Sequence, residues 1–142
     1  MLVRCLYASR AAAPLAESVL SDILRQSRKN NPAMGITGML CYAKEIFVQV
    51  IEGGRDEINS LLNRIMRDER NVDVQVLSFE EISERCFNSW TMGEVDLAHV
   101  NPAVLLKYCK KAELNPFVCS SQATMALLRD LASSGAIASR TK

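Results

Sequence analysis

Tyr7 and Gln49 are the residues of this chain with the most chemistry to offer, because each is polar where an alternating pattern points inward. In the run Ile46 to Glu52 the period of a strand groups Phe47, Gln49 and Ile51 on one face, and in Leu2 to Ser9 it groups Val3, Cys5, Tyr7 and Ser9. A buried phenol and a buried carboxamide need hydrogen-bond partners. A carboxamide also both donates and accepts, so turning it over exchanges the two roles at whatever it faces. Two helical lines bring further groups: Ile23, Ser27 and Asn31 recur at helical steps, and so do Leu61, Ile65 and Asp68. On both lines apolar residues give way to polar ones toward the C-terminal end, a pattern that suits a slot for a flat ring with a polar edge.

Other reactive groups read as structural. His99 is the only histidine and falls in a connector, which gives it a solvated surface role. Glu80-Glu81 and Asp68-Glu69 read as solvated ends of elements rather than as a general acid and base. The five cysteines, Cys5, Cys41, Cys86, Cys109 and Cys119, are odd in number and lack both a C-x-x-C motif and a histidine at ligand spacing. They therefore read as small hydrophobes rather than as a disulfide framework or a metal site. A net charge of +1 without a basic cluster argues against a nucleic-acid binder. Arg4 breaks the only apolar stretch at the start, and no run approaches membrane-spanning length, so the expected location is cytoplasmic.

The elements that must position these groups follow a βαββαββ order. Leu2 to Ala8 reads as the first strand, and Pro14 can open a helix carrying Leu15, Val19 and Ile23. That helix is expected to stop near Asn30, because Pro32 biases Asn31 toward extended geometry. Gly38 to Ala43 and Ile46 to Glu52 read as a hairpin turning at Lys44-Glu45. Past Gly53-Gly54 comes a helix with Ile58, Leu61, Leu62, Ile65 and Met66 on one stripe. Asp73 to Glu81 reads as the fourth strand and Trp90 to Val95 as the fifth, with Trp90 and Met92 alternating toward the same face. The order suits a ferredoxin-like α+β sheet with two helices on one face. Val48, Val50, Leu2 and Leu6 make the opposite face apolar as well. Two C-terminal helices, about Pro102 to Lys111 behind Asn101 and Pro116 to Ser133 behind Asn115, are expected to cover it, with a frayed tail after Gly135.

Six motifs in order resemble those of the BLUF family, sensors of blue light that bind flavin adenine dinucleotide. They are the Tyr7 strand, Ser27-Arg28-Lys29-Asn30-Asn31-Pro32, Gly35-Ile36-Thr37-Gly38, the Gln49 strand, Asp68-Glu69-Arg70, and Phe87-Asn88-Ser89-Trp90-Thr91-Met92-Gly93. The resemblance covers residues 1–97, which implies a photosensor domain there and a helical extension over 98–142. It implies FAD, or another flavin such as FMN, held without a covalent bond between Ile23 and Ile65. Asn31 would bind the pyrimidine edge and Gln49 would lie beside the C4 carbonyl and N5. Leu40 and Phe47 would also contact the flavin, and Ser27, Asn30, Arg64, Asp68 and Arg70 would surround the ring edge and ribityl phosphate side. Asn30 and Asn71 stand where some relatives carry histidine.

The resemblance also implies a photochemical role for Tyr7 and Gln49, with either Trp90 or Met92 next to the amide. Output would pass to a separate effector, for example a cyclic-nucleotide phosphodiesterase or a response-regulator-like protein, from a homo-oligomer with no catalytic domain in this chain. Two other readings share the topology: an acylphosphatase-type enzyme, for which Ser9-Arg10-Ala11-Ala12 offers an Arg but no glycine-rich cradle, and a flavin-free regulatory or oligomerisation module.

Overall fold

The computed structural model describes residues 1–12 and 17–134, with side chains of the first helix from residue 20 onward. The helix start at Pro14, the Leu15 and Val19 part of its stripe and the tail after Gly135 lie outside the described residues. The elements are β1 (Leu2–Ala11), α1 (Glu17–Met34), β2 (Thr37–Ala43), β3 (Ile46–Gly54), α2 (Arg55–Arg67), β4 (Asn71–Ile82), β5 (Gly93–Asp96), α3 (Pro102–Tyr108) and α4 (Ser121–Ser133). The strands form one sheet in the order β4-β1-β3-β2-β5, with β5 added parallel to β2 and the other pairs antiparallel. This is the ferredoxin-like α+β arrangement expected from the order of elements.

The two-residue period sorts the strands into two cores. Val3, Cys5, Tyr7, Leu40, Phe47 and Ile51 join Leu20, Leu24 and Ile58 of the helices on the inner face. Leu6, Met39, Cys41, Val48 and Val50 face the opposite side, where Leu105 of α3 and Met125, Leu127, Leu128 and Leu131 of α4 cover them. Each such leucine, fully buried, contributes about 1.5–3 kcal/mol. Tyr108 Oη donates to Asp130 Oδ2 at 2.7 Å and ties α3 to α4.

Several boundaries depart from the sequence expectation. Helix α1 runs through Pro32 to Met34. The proline costs one amide bond close to the helix end, and the true stop is Gly35, at φ 66°. Ile36 N–H donates to the Asn31 carbonyl at 3.0 Å and Gly35 N–H to that of Pro32 at 3.2 Å, which is a Schellman cap. Asn115 does not open α4: its side chain accepts from Phe117 N–H at 3.0 Å and closes only a turn. The helix starts five residues later than expected, where Ser120 Oγ accepts from Ala123 N–H at 3.0 Å. Met66 lies off the α2 stripe and is half exposed. Strand β5 begins at Gly93 rather than Trp90, so residues 90–92 are a connecting loop and alternation does not apply to them.

One feature of the outer face has no periodic signal. Arg4 and Glu52, directly opposed across β1 and β3, form a buried ion pair with Nε–Oε2 2.8 Å, and Glu52 is wholly shielded from solvent. The Glu52 carboxylate also accepts from Cys86 N–H at 3.0 Å and Phe87 N–H at 2.6 Å, pinning the loop that leads to residues 90–92.

Candidate functional site

Tyr7 and Gln49 are register partners on neighbouring central strands, so the fold presents them side by side on the inner face. Tyr7 Oη donates a hydrogen bond to Gln49 Oε1. Burial pushes the Tyr7 phenol well above its ordinary pKa, with smaller contributions of the same sign from Cys5 and Asp68. The phenol is therefore held as an O–H donor. With its oxygen committed to Tyr7, the amide turns its nitrogen away, and Nε2 donates to Met92 Sδ at 3.0 Å.

A cleft opens above this pair between α1 and α2. Ile23 and Ile65 are among its apolar lining, with Leu40 and Phe47 contributed by the sheet. Ser27, Asn30 and Asn31 line it from the end of α1, and Arg64, Asp68 and Arg70 from the end of α2 and just beyond. The resemblance thus names residues that the fold brings together around one cleft, with Trp90 and Met92 the exceptions outside that lining. Met92 meets Gln49 in the inner core, whereas Trp90 is buried in the outer one. Because residues 90–92 are loop, the two side chains go to opposite faces rather than competing on one.

Asn31 is almost wholly buried, and its Nδ2 donates to the Thr91 carbonyl at 3.0 Å. That bond fixes the amide where the helix ends. At the far side, Arg70 clamps Asp68 through its guanidinium and its backbone N–H, and the hydrogen bond from the Arg70 side chain holds the Asp68 carboxyl below its ordinary range. Arg70 Nη2 also reaches Gln26 Oε1 at 2.9 Å, bridging to α1. Apolar walls, amides at the inner end and two arginines near one acid at the other form a donor set that fits a flat heteroaromatic ring carrying a phosphorylated chain.

The cleft includes lining residues that the sequence reading did not assign to the flavin, namely Ser9, Gln26, Leu61 and Asn71, although Leu61 stands on the helical line that marked the slot. Ser9 shares the Tyr7 face by alternation and Leu61 the Ile65 stripe, so both were recoverable from period alone. Gln26, three residues after Ile23 and four before Asn30, falls on the same helical face, and Arg70 Nη2 donates to its Oε1. His99 is exposed on a short 3-10 turn, 3.7 Å from Asp96. Among the described residues no group of His, Cys, Asp and Glu could hold a metal ion, and no helix is long and apolar enough to cross a membrane.

A family model described as sensors of blue light using FAD matches residues 2–93. Photoactivated adenylate cyclase subunit beta of Euglena longa is 36% identical over 87 residues, which is 61% of this chain and 10% of that protein. The chain spans about a tenth of the length of the curated relatives it matches. Among solved structures, the photo-activated state of BlsA superposes with TM-score 0.81 and 30% identity over 100% of this chain and 99% of that one. The dark state of BlrB, a BLUF protein, gives 0.77 and 32% over 94% and 96%. With a buried Tyr–Gln pair at the foot of the cleft between α1 and α2 and a family match over residues 2–93, the chain belongs to the BLUF family of blue-light sensors that use FAD.

Proposed function

We propose that this chain holds FAD in the cleft between α1 and α2 and signals by turning over the Gln49 amide. The observation that carries the reading is the continuous line Tyr7 Oη to Gln49 Oε1, then Gln49 Nε2 to Met92 Sδ. When bound, the flavin supplies blue-light absorption and one-electron chemistry. With flavin bound, Tyr7 would be the residue placed to supply the electron that the excited ring accepts, and Gln49 would carry the phenol proton away from Tyr7 Oη. Return of the electron and proton would restore Tyr7, and Gln49 would be left with its amide turned over.

The turn has a consequence at Met92. A thioether accepts a hydrogen bond weakly but cannot donate one, so bringing Oε1 to the position of Nε2 replaces an attractive contact with a repulsive one. Met92 must then move, carrying the residues that enter β5. Because cores are close-packed, the move is a switch between packings rather than a smooth strain. The outer helices α3 and α4, which lie on the far side of β5 and the Trp90 loop, are the route to a separate effector or a second subunit. Relatives named as photoactivated adenylate cyclases support a nucleotide-cyclase type of effector, beside a cyclic-nucleotide phosphodiesterase or a response-regulator-like protein. We place the protein in the cytoplasm and expect it to act as a homo-oligomer.

The test is an absorption spectrum. The flavin-loaded protein under blue light should show a red shift of the flavin band that reverses in the dark, and Gln49→Leu should keep flavin and lose the shift. A loaded wild type without any shift would overturn the reading.

A further inference from the structure

We infer that Arg28 is a positioning residue that latches the Met92 segment to α1 and thereby sets how long the light-induced state lasts; the inference rests on the function proposed above. Arg28 is not among the residues lining the cleft, and its hydrogen bonds among the described residues go to Met92 and Glu94 rather than to Tyr7 or Gln49. Its guanidinium spans the entry to β5: Nε donates to the Met92 carbonyl at 3.2 Å, and Nη2 to Glu94 Oε1 at 3.4 Å. Both partners of the ion pair are largely shielded, with side chains 23% and 18% exposed, so the pair is less screened than a surface one.

The segment needs such a latch. Residues 90–92 have no ladder partner, and two of their polar side-chain atoms, Trp90 Nε1 and Thr91 Oγ1, are buried without a hydrogen-bond partner among the described residues. Orphaned buried groups disfavour the arrangement that holds them. What holds it is a set of backbone carbonyls: Trp90 accepts from Gly38 N–H at 3.1 Å, Thr91 from Asn31 Nδ2 at 3.0 Å and Met92 from Arg28. Of these donors, only the guanidinium also reaches across to β5. Its planar fork reads the carbonyl of one residue and the carboxylate two residues on, so it senses the position of the whole entry to the strand.

The direction of the effect follows. The latch is made in the arrangement where Gln49 Nε2 meets Met92 Sδ, and displacement of Met92 pulls its carbonyl and Glu94 away from Arg28. The latch therefore favours the dark arrangement, and removing it favours the displaced one. Thermal recovery after illumination should slow.

The experiment measures dark-recovery kinetics of the flavin band in the flavin-loaded full chain. Arg28→Ala should slow recovery by about 3- to 10-fold, the scale of one shielded charge-assisted hydrogen bond, with the size of the red shift unchanged. Arg28→Lys, which keeps the charge and one bond, should fall between it and wild type. Glu94→Gln should slow recovery in the same direction, and the double variant should be no slower than Arg28→Ala, because both substitutions break one latch. If Arg28→Ala does not fold, Glu94→Gln alone carries the test. Recovery within two-fold of wild type, faster recovery, or effects that multiply in the double variant would each overturn the latch. Those outcomes in a protein whose wild type shows the red shift leave the Gln49 reading standing, whereas a wild type without the shift removes that reading first.

Discussion

Replacing Glu52 with Gln removes one fully buried negative charge from the outer face of the sheet, and its cost can be worked from the contacts it breaks. Arg4 is shielded in its side chain down to 6% exposure and loses its nearest counter-charge, at 2.8 Å. Breaking a buried pair from one side typically costs about 3–5 kcal/mol. Two features soften the loss. Arg4 keeps Glu80 at 2.9 Å, although that side chain is 53% exposed and hence well solvated. The glutamine oxygen can still accept from one of the two N–H donors, Cys86 or Phe87. The expected cost is therefore about 2–4 kcal/mol, a large part of the stability of a small domain. Urea unfolding followed by circular dichroism should show a midpoint lower by about 1–2 M for an m-value of about 2 kcal/mol/M. Glu81→Gln, which breaks only the exposed pair with Arg55, should shift it by less than about 0.3 M. Equal small shifts in the two variants would refute the claim that the Arg4–Glu52 pair anchors the loop before β5.

Alkaline pH should destabilise the protein for a stated reason. Burial raises the Cys5 and Cys41 thiols from 9.0 to about 12, so the folded chain keeps protons that the unfolded chain releases. That contribution is intact below pH 9 and is lost as pH rises toward 12, at up to about 1.4 kcal/mol per pH unit for each thiol; a urea midpoint that does not fall between pH 9 and 10.5 would contradict it. Asn31→Ala should weaken flavin retention by leaving the Thr91 carbonyl and the ring edge without a donor, read as a lower flavin-to-protein ratio after gel filtration. Leu128→Ala should cost about 2–5 kcal/mol, because Leu128 is fully buried between α4 and the sheet; a small cost would mean that α4 is loosely seated. Amide hydrogen exchange should differ between dark and light in β5 and in α3 or α4, and differences confined to the neighbourhoods of Asn31 and Gln49 would make the tail a passive cover.

The sheet was legible because period-2 alternation is imposed by burial on both faces, and Val48 against Gln49 on β3 shows it residue by residue. The helix lines leading to Asn31 and Asp68 were legible for the same reason at period 3.6. What periodicity could not supply was position where no period operates. Pro32 looked like a stop, yet near a helix end it forfeits only one bond, and Gly35 three residues past it made the better cap. Asn115 and Ser120 are both good caps, and tertiary packing of Leu127, Leu128 and Leu131 decides which one opens α4. The fates of Trp90 and Met92 depend on loop geometry, which the Glu52 carboxylate and the Arg28 guanidinium impose from distant parts of the chain. Arg4 and Glu52, each a charged residue in a strand, could be recognised as a pair only from the β1–β3 register.

The most direct test of the central claim is the light-minus-dark absorption spectrum of flavin-loaded Tyr7→Phe. The substitution keeps the ring and removes the hydroxyl that donates to Gln49 Oε1, so folding and flavin content should change little. The account predicts a protein that binds flavin normally and shows no reversible red shift under blue light. A loaded Tyr7→Phe protein with the full wild-type shift would contradict it.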